Sequence, residues 1–302
     1  MGDMIELIGL PTDAGASHRG AVLGPAALRV AELSRRLGKL GYAIRDLGDL
    51  AVQSHLPAAE QIQALARLAS EAGFASLGRG ALPIFLGGDH SISMGTVAGV
   101  ARHCRDTGKP LFVIWIDAHG DFNTPATSET GNIHGMSLAL LCGEPVFATE
   151  PDWFAPVHPA RVAIFGARSL DQAERDLIVD RGVELVDMRE IDERGVVAPL
   201  REFLELVVAA DGHLHVSLDV DVLDPAIAPG VGTAVPGGLT FREAHLIMEM
   251  LHDSRCVGSL DVVELNPFLD HAGRSAVLLV DLCASLFGQT IIARPPASPG
   301  RR

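Results

Sequence analysis

The chain has 302 residues, of which 48% are hydrophobic, and its mean hydropathy is +0.26, so the sequence predicts a folded protein with a sizeable core. Its formal net charge of −14 argues against nucleic acid or an anionic membrane as a partner, because both require basic patches. We find no apolar run of membrane-spanning length, no signal peptide and no paired cysteine motif, and we therefore expect a cytoplasmic protein with free thiols.

Apolar segments of strand length alternate with helical patterns along nearly the whole sequence. A helix is predicted over 24–41, with Pro25 near its start, and further helical patterns cover about 58–77, 242–253 and 274–288. Continuous apolar strands that alternate with helices indicate a doubly wound α/β fold, in which helices cover both faces of a parallel sheet. The eight predicted strands lie at 4–10, 42–50, 82–88, 111–117, 161–167, 182–187, 213–219 and 256–265.

The sequence has no linker, low-complexity run or internal repeat that divides it, so we expect one domain over residues 1–302. Only the terminal segment ARPPASPGRR, from about residue 293, is expected to fray. In such a domain the functional side chains are expected beyond the carboxyl ends of the strands.

Acidic residues and histidines follow four of the predicted strands at this position. In the segment WIDAHGD, Asp117, His119 and Asp121 are two residues apart, and alternate residues of an extended segment point to one side. Burying these groups at one point is costly unless a cation neutralises them, although one such triplet alone is equally consistent with an acidic turn. The other three strand ends favour a metal site, because they supply His90, Asp219, Asp221 and Glu264.

Six of these side chains are candidate metal ligands, four of them carboxylates and two imidazoles. Without a thiolate, this donor set suits a hard to borderline ion such as manganese better than a structural zinc ion. Six ligands are too many for one tetrahedral ion, whereas two ions that share bridging carboxylates accommodate them. Four aspartates contribute −4, two divalent ions +4 and a bridging hydroxide −1, and the remaining negative charge attracts a cationic substrate. The candidates are His90, Asp117, His119, Asp121, Asp219 and Asp221.

Five motifs, which span almost the whole chain, resemble those of the ureohydrolase family. They are GGDHS at 87–91, DAHGDFN at 117–123, GNIHG at 131–135, SLDVDVLDP at 217–225 and SLDVVELNP at 259–267. The resemblance implies a three-layer α/β/α sandwich with a central, mostly parallel sheet and two Mn2+ per chain. It implies hydrolysis of L-arginine to L-ornithine and urea by a metal-bridging hydroxide, and a homo-oligomer, either a trimer or a hexamer.

The family's metal ligands carry over to this chain motif by motif. One ion would be held by His90, Asp117, Asp121 and Asp219. Asp117 and Asp219 would bridge to the second ion, whose other ligands would be His119 and Asp221. Asp121 would also hold the hydroxide and then pass a proton to the leaving amine. Asp89 is adjacent to a ligand but would face the opposite way in an extended segment.

Two further residues match catalytic positions of the family. Glu264 matches the acid that pairs with the guanidinium, a planar group suited to a carboxylate partner. His134, in GNIHG, matches a histidine that shuttles a proton or contacts the substrate amine, and its near-neutral ordinary pKa suits either task.

The far end of the substrate would be bound by residues outside the metal site. Asn123, Ser128 and Thr130 lie on the loop that binds the α-carboxylate in the family, directly or through water. Asp171 and Glu174 match the acids that receive the α-ammonium. Taken without the resemblance, Asn123 and Thr130 are ordinary loop formers, and Glu174 is equally consistent with a helix cap.

The chain departs from the family pattern at three positions near this loop. Thr130 stands where many members have serine, Ser169 where aspartate is frequent, and Ala126 where the residue is often larger or acidic. These changes leave the candidate metal ligands intact and affect only the recognition of the substrate's far end.

Three alternative functions remain open from the sequence. A hydrolase of another guanidino compound, such as agmatine or guanidinobutyrate, would share the metal site but not the carboxylate loop. An inactive metal-binding protein with a regulatory role is disfavoured because no ligand is lost. A zinc deacylase on a related fold is disfavoured because ligands for two metal ions are present.

Overall fold

A central sheet of eight strands organises the computed structural model, which describes residues 4–53 and 55–290. The strand order is β2-β1-β3-β8-β7-β4-β5-β6, and every neighbouring pair is parallel. All eight predicted strands are therefore present. The expected tail from about residue 293 lies outside the described residues. The strands are β1 Met4–Leu10, β2 Ala43–Asp49, β3 Leu82–Gly87, β4 Leu111–Ile116, β5 Val162–Ala167, β6 Glu184–Asp187, β7 His213–Asp219 and β8 Val257–Val263.

Ten α-helices are present in the described part of the chain. The single helix predicted over 24–41 is wrong, because the chain breaks there into α1 and α2. Glu32 lies between them with φ 65°, a left-handed conformation that an α-helix does not continue. The helices are α1 Gly24–Val30, α2 Leu33–Gly38, α3 Ala58–Gly78, α4 Ser93–Thr107, α5 Ser137–Leu141, α6 Gln172–Arg181, α7 Met188–Arg194, α8 Val197–Ala209, α9 Phe241–Ser254 and α10 Arg274–Leu286.

Side chains of the inner strands alternate between the two faces of the sheet, and each face has its own core. In β4, Phe112, Ile114 and Ile116 pack with α1, α2 and α7 to α10. Val113 and Trp115 point the other way and pack with α4 to α6. This alternation confirms the predicted three-layer α/β/α sandwich with a parallel sheet. Over residues 4–53 and 55–290, none of the helices combines the length and apolar character that crossing a bilayer requires.

Helices α3 and α4 approach each other unusually closely because two glycines lie at their contact. A Cβ added to Gly95 would lie 2.3 Å from the carbonyl oxygen of Ala66, and one added to Gly99 would lie 2.4 Å from that of Ser70. The contact fixes the start of α4, which directly follows the turn that carries His90.

Replacing Gly95 by alanine is expected to lower the free energy of unfolding by about 1–3 kcal/mol, because the added methyl group meets backbone that cannot move aside. Gly78→Ala is the matched control, since a Cβ there meets nothing within 4 Å. That control is expected to raise the free energy of unfolding by up to about 1 kcal/mol through helix propensity. Urea unfolding of both variants at one fixed metal concentration measures the difference, and equal effects would contradict the close contact.

Candidate metal centre and active site

Four neighbouring strands of the sheet carry the candidate ligands and Glu264. These strands are β3, β8, β7 and β4, which lie side by side at the centre of the sheet. Because all four are parallel, their carboxyl ends meet at one edge, and the residues that follow them converge there. His90 and Asp219, which are more than 100 residues apart in the sequence, are thereby brought together.

One cluster forms around the ring of His90. Its Nδ1 lies 3.1 Å from each of three carboxylate oxygens, the Oδ2 atoms of Asp117, Asp121 and Asp219. His90 Nδ1 and Asp121 Oδ2 are both buried and lack a hydrogen-bond partner. Unpartnered polar atoms at full burial are costly unless a group bound between them completes the site, and a cation fits this donor set.

A second cluster lies beside the first and shares one of its carboxylates. His119 Nδ1 lies 3.0 Å from Asp221 Oδ2 and 3.4 Å from Asp117 Oδ1. Asp117 therefore contributes Oδ2 to the first cluster and Oδ1 to the second. The ligand atoms of His90, Asp117 and Asp219 lie close enough together to hold one metal ion, and so do those of Asp117, His119 and Asp221.

Backbone N–H groups hold three of the carboxylates in place. His119 N donates to Asp117 Oδ1 at 2.7 Å, Asp221 N to Asp219 Oδ1 at 2.7 Å, and Ala118 N to Asp221 Oδ1 at 3.1 Å. The donating N–H groups belong to the turns that follow the strands. The backbone itself therefore orients these carboxylates toward the two clusters.

The electrostatics of the cluster require a cation. Burial raises the pKa of Asp219 well above its ordinary value, and the nearby Asp221 and Asp117 raise it further. The same causes, burial and then Asp117, raise the pKa of Asp121 to about 6. Burial lowers the pKa of His119, but Asp221 and Asp117 outweigh it and raise that pKa to about 12. All these shifts reflect crowded negative charge in a buried site, and a bound divalent cation would neutralise that charge.

Several residues that support the ligands were missed by the sequence reasoning. The Trp115 ring stacks on His90, with ring centroids 3.9 Å apart, and its Nε1 donates to Asp117 Oδ2 at 3.0 Å. Ser217 Oγ lies 2.8 Å from His90 Nε2. The alternation of strands contained a signal for both, since each lies two residues before a ligand on its strand. Thr233, whose hydroxyl donates to Asp221 Oδ2 at 3.0 Å, comes from a distant loop and had no such signal.

Two site residues adopt a backbone conformation that is unfavourable for side chains other than glycine. Asp121 has φ 49° and Glu264 has φ 63°, and they are two of six such residues in the described part of the chain. The surrounding contacts hold this strain, and such strain concentrates at functional sites.

Glu264 contacts the ring of His134 and the turn that carries His90. Glu264 Oε1 is 2.8 Å from His134 Nδ1 and accepts a hydrogen bond from His90 N at 2.7 Å. Burial lowers the pKa of His134, but the Glu264 carboxylate outweighs it, and the pKa rises to about 9. Asp89 is not part of the metal clusters, because its carboxylate accepts hydrogen bonds from Gly15 N and Ser91 N.

A polar cavity of about 200 Å³ opens beside the clusters and brings most of the predicted site residues together. His90, Asp117 and Glu264 are not part of its wall, and Glu264 instead lines a smaller adjoining cavity that also contains His134. Predicted residues that line the larger cavity are His119, Asp121, Asn123, Ser128, Thr130, His134, Asp171, Glu174, Asp219 and Asp221. Ser169, Asn132 and Thr233, which were not predicted as site residues, also line it.

Hydroxyl groups of the outer loop are arranged to donate into the cavity. Ser128 Oγ accepts from Gly131 N at 3.0 Å, and Thr130 Oγ1 accepts from Asn132 N at 3.2 Å. Because each hydroxyl accepts from the backbone, its own proton stays available for a ligand.

Asp171 and Glu174, the two acids that line the cavity at the start of α6, have structural partners as well. Asp171 Oδ2 accepts from Asn123 Nδ2 at 3.0 Å. Glu174 accepts from Phe122 N and from Asp171 N, so it also caps the start of α6, as its position in the sequence allowed. Burial, with smaller contributions from Asp121 and Asp171, raises the pKa of Glu174 to about 7.

A buried His/Asp metal cluster beside a polar cavity, at the carboxyl edge of a parallel sheet, defines a metal-binding α/β enzyme. A family model described as the arginase family matches residues 3–288. The arginase of Agrobacterium fabrum is 49% identical over 298 residues, which cover 96% of this chain and 92% of that protein. The chain belongs to the arginase family and is a hydrolase.

Two solved structures show the same fold. The crystal structure of arginase from Bacillus subtilis matches with a TM-score of 0.89 and 42% identity, covering 96% of this chain and 100% of the other. The crystal structure of Entamoeba histolytica arginase in complex with L-ornithine matches with a TM-score of 0.86 and 26% identity, covering 95% and 99%.

The pairing of His134 with Glu264 predicts a distinct titration in the metal-free protein. We expect the His134 ring to titrate near pH 9, and Glu264→Gln to lower that pKa by removing the carboxylate. The stabilisation from this pair is fully present below the unfolded pKa of about 6.5 and is lost as the pH rises through about 9.

Histidine-selective NMR titration of the chelator-treated protein measures this pKa. Glu205→Gln, which removes an exposed acid of α8, is the control and is expected to leave the titration unchanged. A His134 pKa that is the same with and without the Glu264 carboxylate would contradict the assignment.

Proposed function

We propose that this protein is a dimanganese hydrolase that cleaves the guanidinium group of L-arginine to give L-ornithine and urea. The observation that supports this best is the pair of clusters that share Asp117, beside a cavity that is also lined by amide and hydroxyl groups suited to a carboxylate. Membership of the arginase family and the similarity to an arginase solved with L-ornithine support the same substrate.

The donor set supports two manganese ions. Carboxylates and imidazoles without a thiolate suit a hard to borderline divalent ion, and four carboxylates balance the charge of two such ions. His90, Asp121 and the Oδ2 atoms of Asp117 and Asp219 would hold the first ion. His119 and Asp221 would hold the second together with Asp117 Oδ1 and Asp219. When bound, the ions would lower the pKa of a shared water and stabilise the charge that develops on the substrate.

Three side chains are assigned to proton handling and orientation. Asp121 lines the cavity, so while one of its carboxylate oxygens would hold the first ion, the other would take up a proton and pass it to the departing amine. His134, on the cavity wall, would exchange protons between the cavity and solvent. Glu264 holds the His134 ring and is buried next to His90, where its negative charge would orient the guanidinium.

The outer residues would select arginine through its α-carboxylate and α-ammonium. Asn123, Ser128 and Thr130 would donate hydrogen bonds to the carboxylate, and Asp171 and Glu174 would receive the ammonium. A site that hydrogen-bonds a substrate group rejects an analogue that lacks it, because the polar groups of the site are left unpaired. We also propose a cytoplasmic location and a homo-oligomeric assembly, a trimer or hexamer, for this protein.

Removal of a bridging ligand tests the metal assignment. The wild-type protein is expected to hold close to two manganese ions per chain at saturation, and Asp219→Ala to lose occupancy together with activity. Elemental analysis after equilibrium dialysis measures the ratio. Asp192→Ala, an exposed aspartate of α7, is the control and is expected to keep both ions. One zinc ion per chain in the active wild-type enzyme would refute the dimanganese proposal.

Substrate preference tests the role of the outer loop. Two or three hydrogen bonds to the α-carboxylate, at roughly 1.5 kcal/mol each, predict a kcat/KM for arginine at least about 100-fold above that for agmatine. Asp171→Ala is expected to raise KM for arginine about 10-fold or more and to raise KM for agmatine as well, because agmatine lacks the α-carboxylate but keeps the ammonium group that Asp171 would receive.

Urea release with both substrates measures these constants. Asp176→Ala, an exposed acid on the same helix, is the matched control and is expected to leave both KM values unchanged. Faster hydrolysis of agmatine or guanidinobutyrate than of arginine would show that the carboxylate loop is assigned wrongly and that the substrate is another guanidino compound.

A further inference from the structure

A chain of buried hydroxyl groups runs from His90 away from the metal clusters. His90 Nε2 lies 2.8 Å from Ser217 Oγ on β7. Ser217 Oγ lies 3.4 Å from Ser93 Oγ at the start of α4, which is the longest step of the chain. Ser93 Oγ lies 2.6 Å from Asp261 Oδ2 on β8. All four side chains are at most 1% exposed, so water does not compete for these contacts.

The direction of this chain is set at Asp261. Three groups converge on the same oxygen, since Asp261 Oδ2 also lies 2.8 Å from Thr96 Oγ1 and 3.2 Å from His215 Nε2. A carboxylate oxygen accepts hydrogen bonds, and both hydroxyls donate to this one. Ser93 therefore donates its hydroxyl proton to Asp261.

The remaining protons follow from the fact that each hydroxyl has only one. Because the proton of Ser93 is used, the contact between the two serines requires Ser217 to be the donor. The proton of Ser217 is then used as well, so His90 Nε2 must donate to Ser217 Oγ. A neutral His90 consequently has its proton on Nε2 and a lone pair on Nδ1, the atom that lies 3.1 Å from Asp117, Asp121 and Asp219.

These hydrogen bonds place the proton of His90 on Nε2, whereas the carboxylates of the metal clusters alone would favour a proton on Nδ1. Three carboxylate oxygens around Nδ1 draw a proton to that nitrogen, and a protonated Nδ1 does not bind a metal ion. An acceptor on the far side of the ring offers the proton a place on Nε2 instead. Ser217 is that acceptor, and it is connected to the Asp261 carboxylate through Ser93. Asp261 itself does not contact the metal ligands.

We propose that Asp261, acting through Ser93 and Ser217, is a positioning residue that holds the His90 proton on Nε2 and so keeps Nδ1 free for the metal. The inference rests on the proposed function, in which His90 is a ligand. Ser93 and Asp261 are the new members of the site, since neither touches the cavity or the two clusters.

Two substitutions at the same carboxylate oxygen separate this role from packing. Ser93→Ala removes the hydroxyl that connects Asp261 to Ser217, whereas Thr96→Val removes a hydroxyl that contacts the same oxygen but lies outside the chain. Both positions are fully buried. Ser93→Ala is expected to raise the Kd for Mn2+ about 10-fold or more, and Thr96→Val to leave it within about twofold. The paramagnetic resonance signal of free Mn2+ measures the Kd in a titration of the full chain.

Asp261→Asn provides a second variant and a test of coupling. An asparagine can donate to Ser93 and so reverse the hydroxyls, and the Kd is expected to rise at least as much as in Ser93→Ala. In the double variant the charge no longer reaches His90, so the Kd is expected to match the weaker-binding single variant rather than the product of both effects. A purely structural role of the two residues would give the product instead.

Proton NMR of the protein loaded with Zn2+, a diamagnetic ion, gives a further test. The His90 Nε2–H proton is expected to give a downfield resonance in the wild type and in Thr96→Val, and to shift upfield in Ser93→Ala as its hydrogen bond weakens. Wild-type protein that binds no Mn2+ would overturn the proposed function itself. Normal Mn2+ binding in the wild type with an unchanged Kd in Ser93→Ala, or an equal loss in Thr96→Val, would overturn the role of Asp261 alone.

Discussion

Mutual repulsion between four buried aspartates is the constraint on which the rest of this structure depends. Their carboxylates meet at one point of the sheet edge, where burial prevents water from screening them. Backbone N–H groups hold Asp117, Asp219 and Asp221, but these neutral donors orient charge without removing it. Protons on the carboxylates and on His90 and His119 relieve this repulsion, and bound metal ions would relieve it more completely. The folded chain therefore favours a cation at this point.

The sheet supplies the rigidity that such a site needs. The four central strands each end beside the site, and helices cover both faces of the sheet, so the ligands stand on the most buried part of the molecule. Among the groups that we assign to recognition of the substrate's far end, Ser128 and Thr130 lie on a partly exposed loop, whereas Asp171 and Glu174 lie at the start of α6. We therefore assign the chemistry to the strand ends and the selectivity to these outer segments, where a change such as that at Ser169 leaves the ligands in place.

Support for the metal ligands extends inward as well as toward solvent. Trp115 and Ser217 hold the His90 ring from the sheet side, and Glu264 holds the backbone of the same residue. Beyond Ser217, the polar contacts continue into the core through Ser93 to Asp261. If only packing mattered, a hydrophobic residue would suffice at position 261. Burying a carboxylate is costly, and the role that we propose for Asp261 toward His90 gives a reason for its place in the core.

The sequence by itself determined the eight strands, the layering of the fold and the six candidate ligands, because alternation within a strand and the residues that follow it are local properties of the chain. Only the tertiary structure decided which strands are neighbours, and hence that Ser93 and Asp261, 168 positions apart, share a hydrogen bond. It also decided the break of the first predicted helix at Glu32, and the position of Glu264 beneath His134 rather than on the main cavity wall. Contacts of this kind depend on how separate elements cross in space, and no local periodicity encodes that crossing.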